Sequence, residues 1–248
     1  AFLLLFPFEQ ALYREAGIDT VYVGHPLADV IPFEIDAAEA RRALGLPAEA
    51  PVVALLPGSR PAEIEHLAMP FLDTAAWLHA RLPELRFVLP AASDAGFERL
   101  KAIAARAGLP STMSLTIVRG RAHDALAAAE AVLVASGTAT LEAALFRRPM
   151  VIAYRMSAIS YRIMRPMALL PWIGLPNVLA GRFVVPEFLQ HEVQPEAMGR
   201  ALLRQLDDAA HRASIVETFS RMHEELRRGC ASRAAQAVLE VADDRAAA

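Results

Sequence analysis

The chain has 248 residues, 55% apolar and 21% charged, enough for a substantial core and too apolar to be disordered. A formal net charge of −3 provides no broad basic excess, which argues against nucleic acid as a partner. The single cysteine, Cys230, excludes an internal disulfide framework and a cysteine-based zinc site, and fits a reducing, cytoplasmic setting.

The first six residues, Ala1 to Phe6, form a short apolar run stopped by Pro7. The run is too short to span a membrane and lacks the layout of a signal peptide. It reads as a buried strand cut at its front edge, so the chain is expected to be a piece of a longer protein. A strand over 2–6, a helix over 8–16 and a strand over 20–24 follow, closed by a turn at Gly24-His25-Pro26. Residues 31–50, with Pro32, Gly45 and Pro47 around a helix at 37–44, read as a linker.

From residue 51 the pattern becomes regular. Apolar runs at 52–56, 85–89, 114–118, 131–135 and 149–153 predict strands covered on both faces. Helices are predicted between them at 61–82, 94–107, 122–129 and 139–147. This alternation predicts an α/β fold with a parallel sheet and helices on both faces. In such sheets ligands bind at the carboxyl ends of the strands. Pro166, Pro171, Pro176 and Pro186 prevent a single regular helix after Tyr154, and helices return at 195–206, 210–228 and 231–242. The chain divides on this reading into 1–30, a linker at 31–50, a large lobe at 51–228 and a C-terminal helix and tail at 229–248.

Two turns carry phosphate-binding chemistry. Ser136-Gly137-Thr138-Ala139-Thr140-Leu141-Glu142 breaks a strand straight into a helix, which leaves free backbone N–H groups at the helix start. Glu142 is read as lying inside the first helical turn, where it reaches sugar hydroxyls or is simply an acid favoured by the helix dipole. Pro57-Gly58-Ser59-Arg60 is the second such turn: Gly58 permits close backbone approach, Ser59 caps the helix, and Arg60 offers a guanidinium fork for a diphosphate. An ordinary turn with a solvated arginine is the bland reading. A third strand end, Arg119-Gly120-Arg121-Ala122-His123-Asp124, either lines the same crevice with Arg121 or is a surface turn.

Between Tyr154 and Trp172, Arg155, Arg162 and Arg165 alternate with Tyr161, Met164, Met167 and Trp172. That mixture suits a lipid headgroup interface or an acylated ligand, and equally a helix packed on its own domain. His25 and Asp29 lack a further ligand at metal-binding spacing, Cys230 reads as inert, and no metal or cofactor is expected. The chain has no Gly-x-Ser-x-Gly elbow, Walker loop or Gly-x-Gly-x-x-Gly fingerprint, which weighs against hydrolase, ATPase and dehydrogenase chemistry.

Taken together, Leu55-Leu56-Pro57-Gly58-Ser59-Arg60 with Glu63-Ile64-Glu65, Val23-Gly24-His25-Pro26-Leu27-Ala28-Asp29, Ala135 to Glu142, Pro149-Met150-Val151, Tyr154-Arg155-Met156 and Leu175-Pro176-Asn177-Val178-Leu179-Ala180-Gly181 resemble lipid-A-disaccharide synthase, from residue 1 to about 240. The resemblance implies a GT-B fold of two Rossmann-like lobes, with this chain holding the C-terminal lobe and the last strands of the N-terminal one. It implies an inverting, metal-independent transfer from UDP-2,3-diacylglucosamine to 2,3-diacylglucosamine 1-phosphate, at the cytoplasmic face of the inner membrane of Gram-negative bacteria. A homodimer built on the late helices is a further expectation. Carried onto these residues, Gly58, Ser59 and Arg60 hold the diphosphate, and Arg60 stabilises departing UDP. Ser136, Gly137 and Thr138 meet the phosphates, and Glu142 accepts the ribose hydroxyls. Arg155, Met156 and Asn177 line the sugar side, with membrane contact through Arg155, Arg162, Arg165 and Trp172. The acid expected to act as general base belongs to the N-terminal lobe, of which only residues 1–29 have counterparts, so this chain alone is expected to bind UDP without turnover. Another UDP-sugar enzyme of the same fold, such as an epimerase acting on UDP-N-acetylglucosamine, and a non-catalytic UDP-sugar-binding module are the alternatives.

Overall fold

The structure, a computed structural model, describes residues 2–164 and 170–247. Phe2–Leu4 (β1) and Thr20–Tyr22 (β2) pair in parallel across helix Glu9–Glu15 (α1) as a separate two-stranded sheet. The main sheet has six parallel strands: Val52–Leu56 (β3), Arg86–Ala91 (β4), Ser114–Arg119 (β5), Ala131–Ala135 (β6), Met150–Tyr154 (β7) and Glu187–Leu189 (β8). Their spatial order is β5-β4-β3-β6-β7-β8, so the chain reverses its direction of travel across the sheet between β3 and β6. A doubly wound sheet opens a crevice at that reversal, beyond the carboxyl ends of the strands.

The all-apolar strands build two cores by simple alternation. In β3, Val52, Ala54 and Leu56 face one side while Val53 and Leu55 face the other, and all five are buried. Pro61–His79 (α4), Asp94–Arg106 (α5) and Pro195–Asp207 (α10) cover one face through Leu67, Phe71, Leu100 and Leu202. Ala122–Ala128 (α6), Thr138–Leu145 (α7) and Ala209–Leu226 (α11) cover the other through Leu126, Leu141 and Phe219. α4 and α7, which follow the two strands at the reversal, therefore lie on opposite faces and diverge around the crevice.

The predicted strands and helices of the 51–154 region are all present. The sequence reading missed Pro26–Val30 (α2), Ala158–Met164 (α8), Leu175–Ala180 (α9) and β8, all short, and α2, α9 and β8 are bordered or opened by proline. The stretch 31–50, expected as a linker, contributes Ile31, Ala40, Leu44 and Leu46 to the core, and its helix Ala37–Ala43 (α3) packs on α6. Arg41 pairs with Glu130 there, and Glu130 also accepts the Val52 N–H at 2.5 Å, tying this stretch to the first strand of the sheet.

The N-terminal segment is stitched to the last helices. His25 caps α2 by accepting the Leu27 N–H at 3.2 Å through Nδ1, and its own N–H donates to Leu226 O at 2.9 Å. Asp29 accepts the N–H groups of Gly229 and Cys230, at 2.9 and 2.6 Å, at the start of Cys230–Ala247 (α12). Burial pushes the His25 pKa down against the opposing pull of Asp29, and burial pushes the Cys230 thiol up. His223 on α11, buried against Ala28 O at 2.9 Å, is likewise held below the usual histidine range by burial.

Candidate functional site

A cleft of about 370 Å³ lies at the reversal of strand order. Gly58, Ser59, Arg60 and Glu63 from the β3 turn form one wall, and Ser136, Gly137, Thr138, Ala139 and Glu142 from the β6 turn form the other. Pro90 to Ala92 from β4, with Gly120 and Ala122 after β5, close the floor. Seven residues singled out from sequence, Gly58, Ser59, Arg60, Ser136, Gly137, Thr138 and Glu142, are thus brought together.

The two helix N-termini at the cleft differ in a way the sequence did not reveal. At the β3 turn, Glu63 folds back so that its Oε2 accepts the N–H of Ser59 at 2.9 Å and of Arg60 at 3.1 Å. A carboxylate at the third helical position satisfying the donors before it is an N-terminal cap. Gly58 makes that possible: its φ is +115°, and a Cβ there would lie 2.4 Å from the Glu63 side chain. The guanidinium of Arg60 rests on Glu63 at 3.2 Å with its side chain 83% exposed, a weak surface pair that an incoming anion displaces readily. Sequence reasoning had Glu63 only as part of a motif; its spacing of three from Arg60 was the available signal.

At the β6 turn no side chain caps α7. Gly137 holds φ at +151°, a glycine-only conformation, with open space where a Cβ would stand. The Ser136 N–H donates to Ala153 O at 2.9 Å and its hydroxyl to Ile173 O at 3.0 Å, so Ser136 anchors the turn instead of offering its hydroxyl to a ligand. Among the described residues, the Thr138 and Ala139 N–H groups donate to no protein acceptor outside the helix. The uncapped start of α7 therefore leaves free N–H donors at the cleft, whose other wall carries Arg60.

Glu142 was expected inside the first helical turn. α7 begins at Thr138, so Glu142 is its fifth residue, past the turn where a helix dipole favours an acid. The dipole explanation lapses. Its Oε2 instead accepts a hydrogen bond from Nε2 of His123 at 2.9 Å, and its side chain lines the cleft.

Other expected site residues stand apart. Arg121, in left-handed conformation at φ +60°, turns its guanidinium away to Asp124 at 2.8 Å and to Ala43 O at 2.7 Å. Asn177 is fully buried and is not among the residues that line the cleft. Its Oδ1 accepts the N–H groups of Val184 and Val185, at 2.7 and 3.1 Å, and its Nδ2 donates to Val185 O and to Glu187 at 2.9 and 2.8 Å. Glu187 in turn accepts the N–H groups of Ile173 and Gly174 at 2.8 and 2.9 Å, so Asn177 clasps the loop that also receives the Ser136 hydroxyl. Arg155 is exposed and Met156 half-buried at the end of β7, outside the residues that line the cleft. Arg162 is exposed, and Trp172 packs edge-on against Phe183 with ring centroids 6.2 Å apart. Arg165 lies outside the described residues. No described helix is long and apolar enough to cross a membrane, and among the described residues no three His, Cys, Asp or Glu side chains cluster as metal ligands.

Comparison with known proteins places this geometry. The solved structure of WaaG, a glycosyltransferase involved in lipopolysaccharide biosynthesis, superposes with a TM-score of 0.60 at 14% identity, covering 94% of this chain and 61% of that one. Anabaena HepE in complex with UDP-glucose gives 0.56 at 15% identity, over 97% and 63%. Both share the fold, which is that of the GT-B glycosyltransferases. The lipid-A-disaccharide synthase of Thiobacillus denitrificans is 52% identical over 236 residues, covering 95% of this chain. The chain spans 62% of the length of that relative. The family model described as lipid-A-disaccharide synthetase matches residues 1–241, and the chain belongs to that family.

Proposed function

We propose that this chain provides the UDP-sugar half of a glycosyltransferase site that transfers 2,3-diacylglucosamine from UDP-2,3-diacylglucosamine to 2,3-diacylglucosamine 1-phosphate. The observation that carries this reading is the composition of the cleft: an uncapped helix start, a weakly held arginine and a carboxylate on one rim. A diphosphate fits the first two and a ribose the third. The Thr138 and Ala139 N–H groups take phosphate oxygens, and Arg60 leaves Glu63 to offset the charge that develops on departing UDP. A carboxylate would repel phosphate but accepts hydrogen bonds from hydroxyls, which assigns Glu142 to the ribose. HepE, of the same fold, was solved with UDP-glucose, and the Thiobacillus relative is named for lipid-A-disaccharide synthesis.

On this reading residues 51–228 are the donor lobe and residues 1–30 belong to an acceptor lobe. The two carboxylates of the described cleft, Glu63 and Glu142, are both committed to other bonds, and the general base for the acceptor hydroxyl is assigned to the acceptor lobe. UDP titrated by calorimetry into the parent, Arg60→Ala and Glu142→Ala is the direct test. Each substitution is expected to weaken binding by about tenfold or more, the scale of one charge-assisted hydrogen bond. Unchanged affinity in both would remove the assignment.

On the same reading, acylated substrates would draw the enzyme to the cytoplasmic face of the inner membrane, with Arg155, Arg162 and Trp172 toward the lipid. Support comes from the exposure of Arg155 and Arg162 in a stretch of sequence that also exposes Ile163 and Leu170. Arginines near an anionic surface contribute about 1 kcal/mol each. The chain is expected to sediment with anionic vesicles at low salt, and Arg155→Glu/Arg162→Glu to stay largely in the supernatant. A parent protein that never sediments would refute the lipid-facing assignment.

A further inference from the structure

We propose that His123 is a positioning residue for sugar hydroxyls: it grips one oxygen of Glu142 so that the other is presented to a vicinal diol in the cleft. The inference rests on the ribose role given to Glu142 and adds to it the residue that makes the carboxylate selective.

The geometry is specific. His123 is the second residue of α6, whose start is fixed by two successive left-handed residues, Gly120 at φ +62° and Arg121 at φ +60°. Arg121 is held in that costly conformation by its bonds to Asp124 and Ala43 O, so the root of the histidine is rigid. Its ring is tilted on Phe146, with centroids 5.2 Å apart. Phe146 stands one helical turn after Glu142, so the imidazole bridges the two along one side of α7. A bond from Nε2 to a carboxylate requires Nε2 to carry the proton, and it ends on Oε2 alone. Among the described residues, Oε1 of Glu142 receives no hydrogen bond, although the side chain lines the cleft.

Stability does not explain the pair. His123 and Glu142 are 48% and 22% exposed, and a pair that accessible contributes little to folding. Glu142 also lies beyond the dipole-favoured turn. The pair does restrict Glu142. An unrestrained glutamate on the rim must lose its rotamer freedom on binding, and it could turn toward the Arg60 guanidinium where the phosphates are to sit. Held by His123, it keeps its charge on the ribose side and offers Oε1 as acceptor. The class of ligand selected is a nucleoside diphosphate with both ribose hydroxyls, in preference to its 2′-deoxy counterpart.

The experiment titrates UDP and 2′-deoxy-UDP into the parent, His123→Ala, His123→Gln, Glu142→Gln and the His123→Ala/Glu142→Gln double variant. His123→Ala is expected to weaken UDP by about fivefold while leaving 2′-deoxy-UDP nearly unchanged, the size of one net hydrogen bond. His123→Gln, which restores an N–H donor of similar reach, should recover most of that loss. The double variant should bind no more weakly than Glu142→Gln alone, because the histidine acts only through the carboxylate. Equal losses for both ligands, or losses that add in the double variant, would overturn the positioning role. A Glu142→Gln variant that binds both ligands as the parent does would overturn the ribose assignment itself and this inference with it. Weakening by Glu142→Gln without any effect of His123→Ala would sink the inference alone.

Discussion

Asn177→Ala should lower stability by about 3–4 kcal/mol, because it strips four hydrogen bonds from a fully buried clasp. The buried N–H groups of Val184 and Val185 lose their common acceptor at a site with no exposed side-chain surface. For a chain of this size the thermal midpoint should fall by about 10 °C. Asn177→Asp should be worse than the small change of one atom suggests. It keeps the acceptor for the two valine N–H groups but sets a second carboxylate 2.8 Å from Glu187, where the amide now donates. Because the clasp lies outside the cleft, UDP affinity of the folded fraction should stay within about threefold of the parent, as it does when no ligand contact is lost. A variant with normal melting and abolished UDP binding would instead return Asn177 to the sugar side, where its motif first suggested it.

Asn177 also marks the boundary of what the sequence made legible. The β3, β6 and β7 runs are apolar at every position, only five residues long and bounded by turn residues, which together read as strands covered on both faces. The parallel sheet, the helices on both faces and the two turns of the cleft followed from it. Side-chain direction did not. Arg121 and Asn177 carry the chemistry of ligand contacts, yet Arg121 is spent on its own turn and Asn177 on a loop connecting α9 to β8. Of the Arg121 partners, Asp124 is local, three residues on, but Ala43 O lies 78 residues away and is not recognisable from local spacing. β8 and α9 were hidden for another reason: both are only a few residues long and sit among prolines, so no period of 2 or 3.6 can establish itself. His123 and Glu142 lie 19 residues apart on different helices, and only the reversal of strand order brings them together.

Thr138→Asp should separate folding from ligand binding by moving them in opposite directions. Thr138 is the first residue of α7, a helix with no acid in its first turn and no side-chain cap. An aspartate there meets the positive end of the helix dipole and should raise stability by about 0.3–1 kcal/mol. The same charge would occupy the seat assigned to the phosphates. At about 5 Å, with the effective dielectric of a partly exposed site, each unit of like charge costs about 3 kcal/mol. UDP carries its charge on two phosphates, so its affinity should fall by at least about a hundredfold. The loss should grow from uridine, which has no phosphate and should be unaffected, through UMP to UDP. That gradient distinguishes repulsion at the α7 start from general damage, which would weaken all three alike. Thr138→Asn, similar in shape and neutral, should bind UDP within about threefold of the parent, since it brings no charge to the seat. If Thr138→Asp bound UDP as tightly as the parent, the phosphates would have to sit at the β3 turn instead. Glu63 would then need to release the N–H groups of Ser59 and Arg60 on binding, at the expense of the cap it now provides.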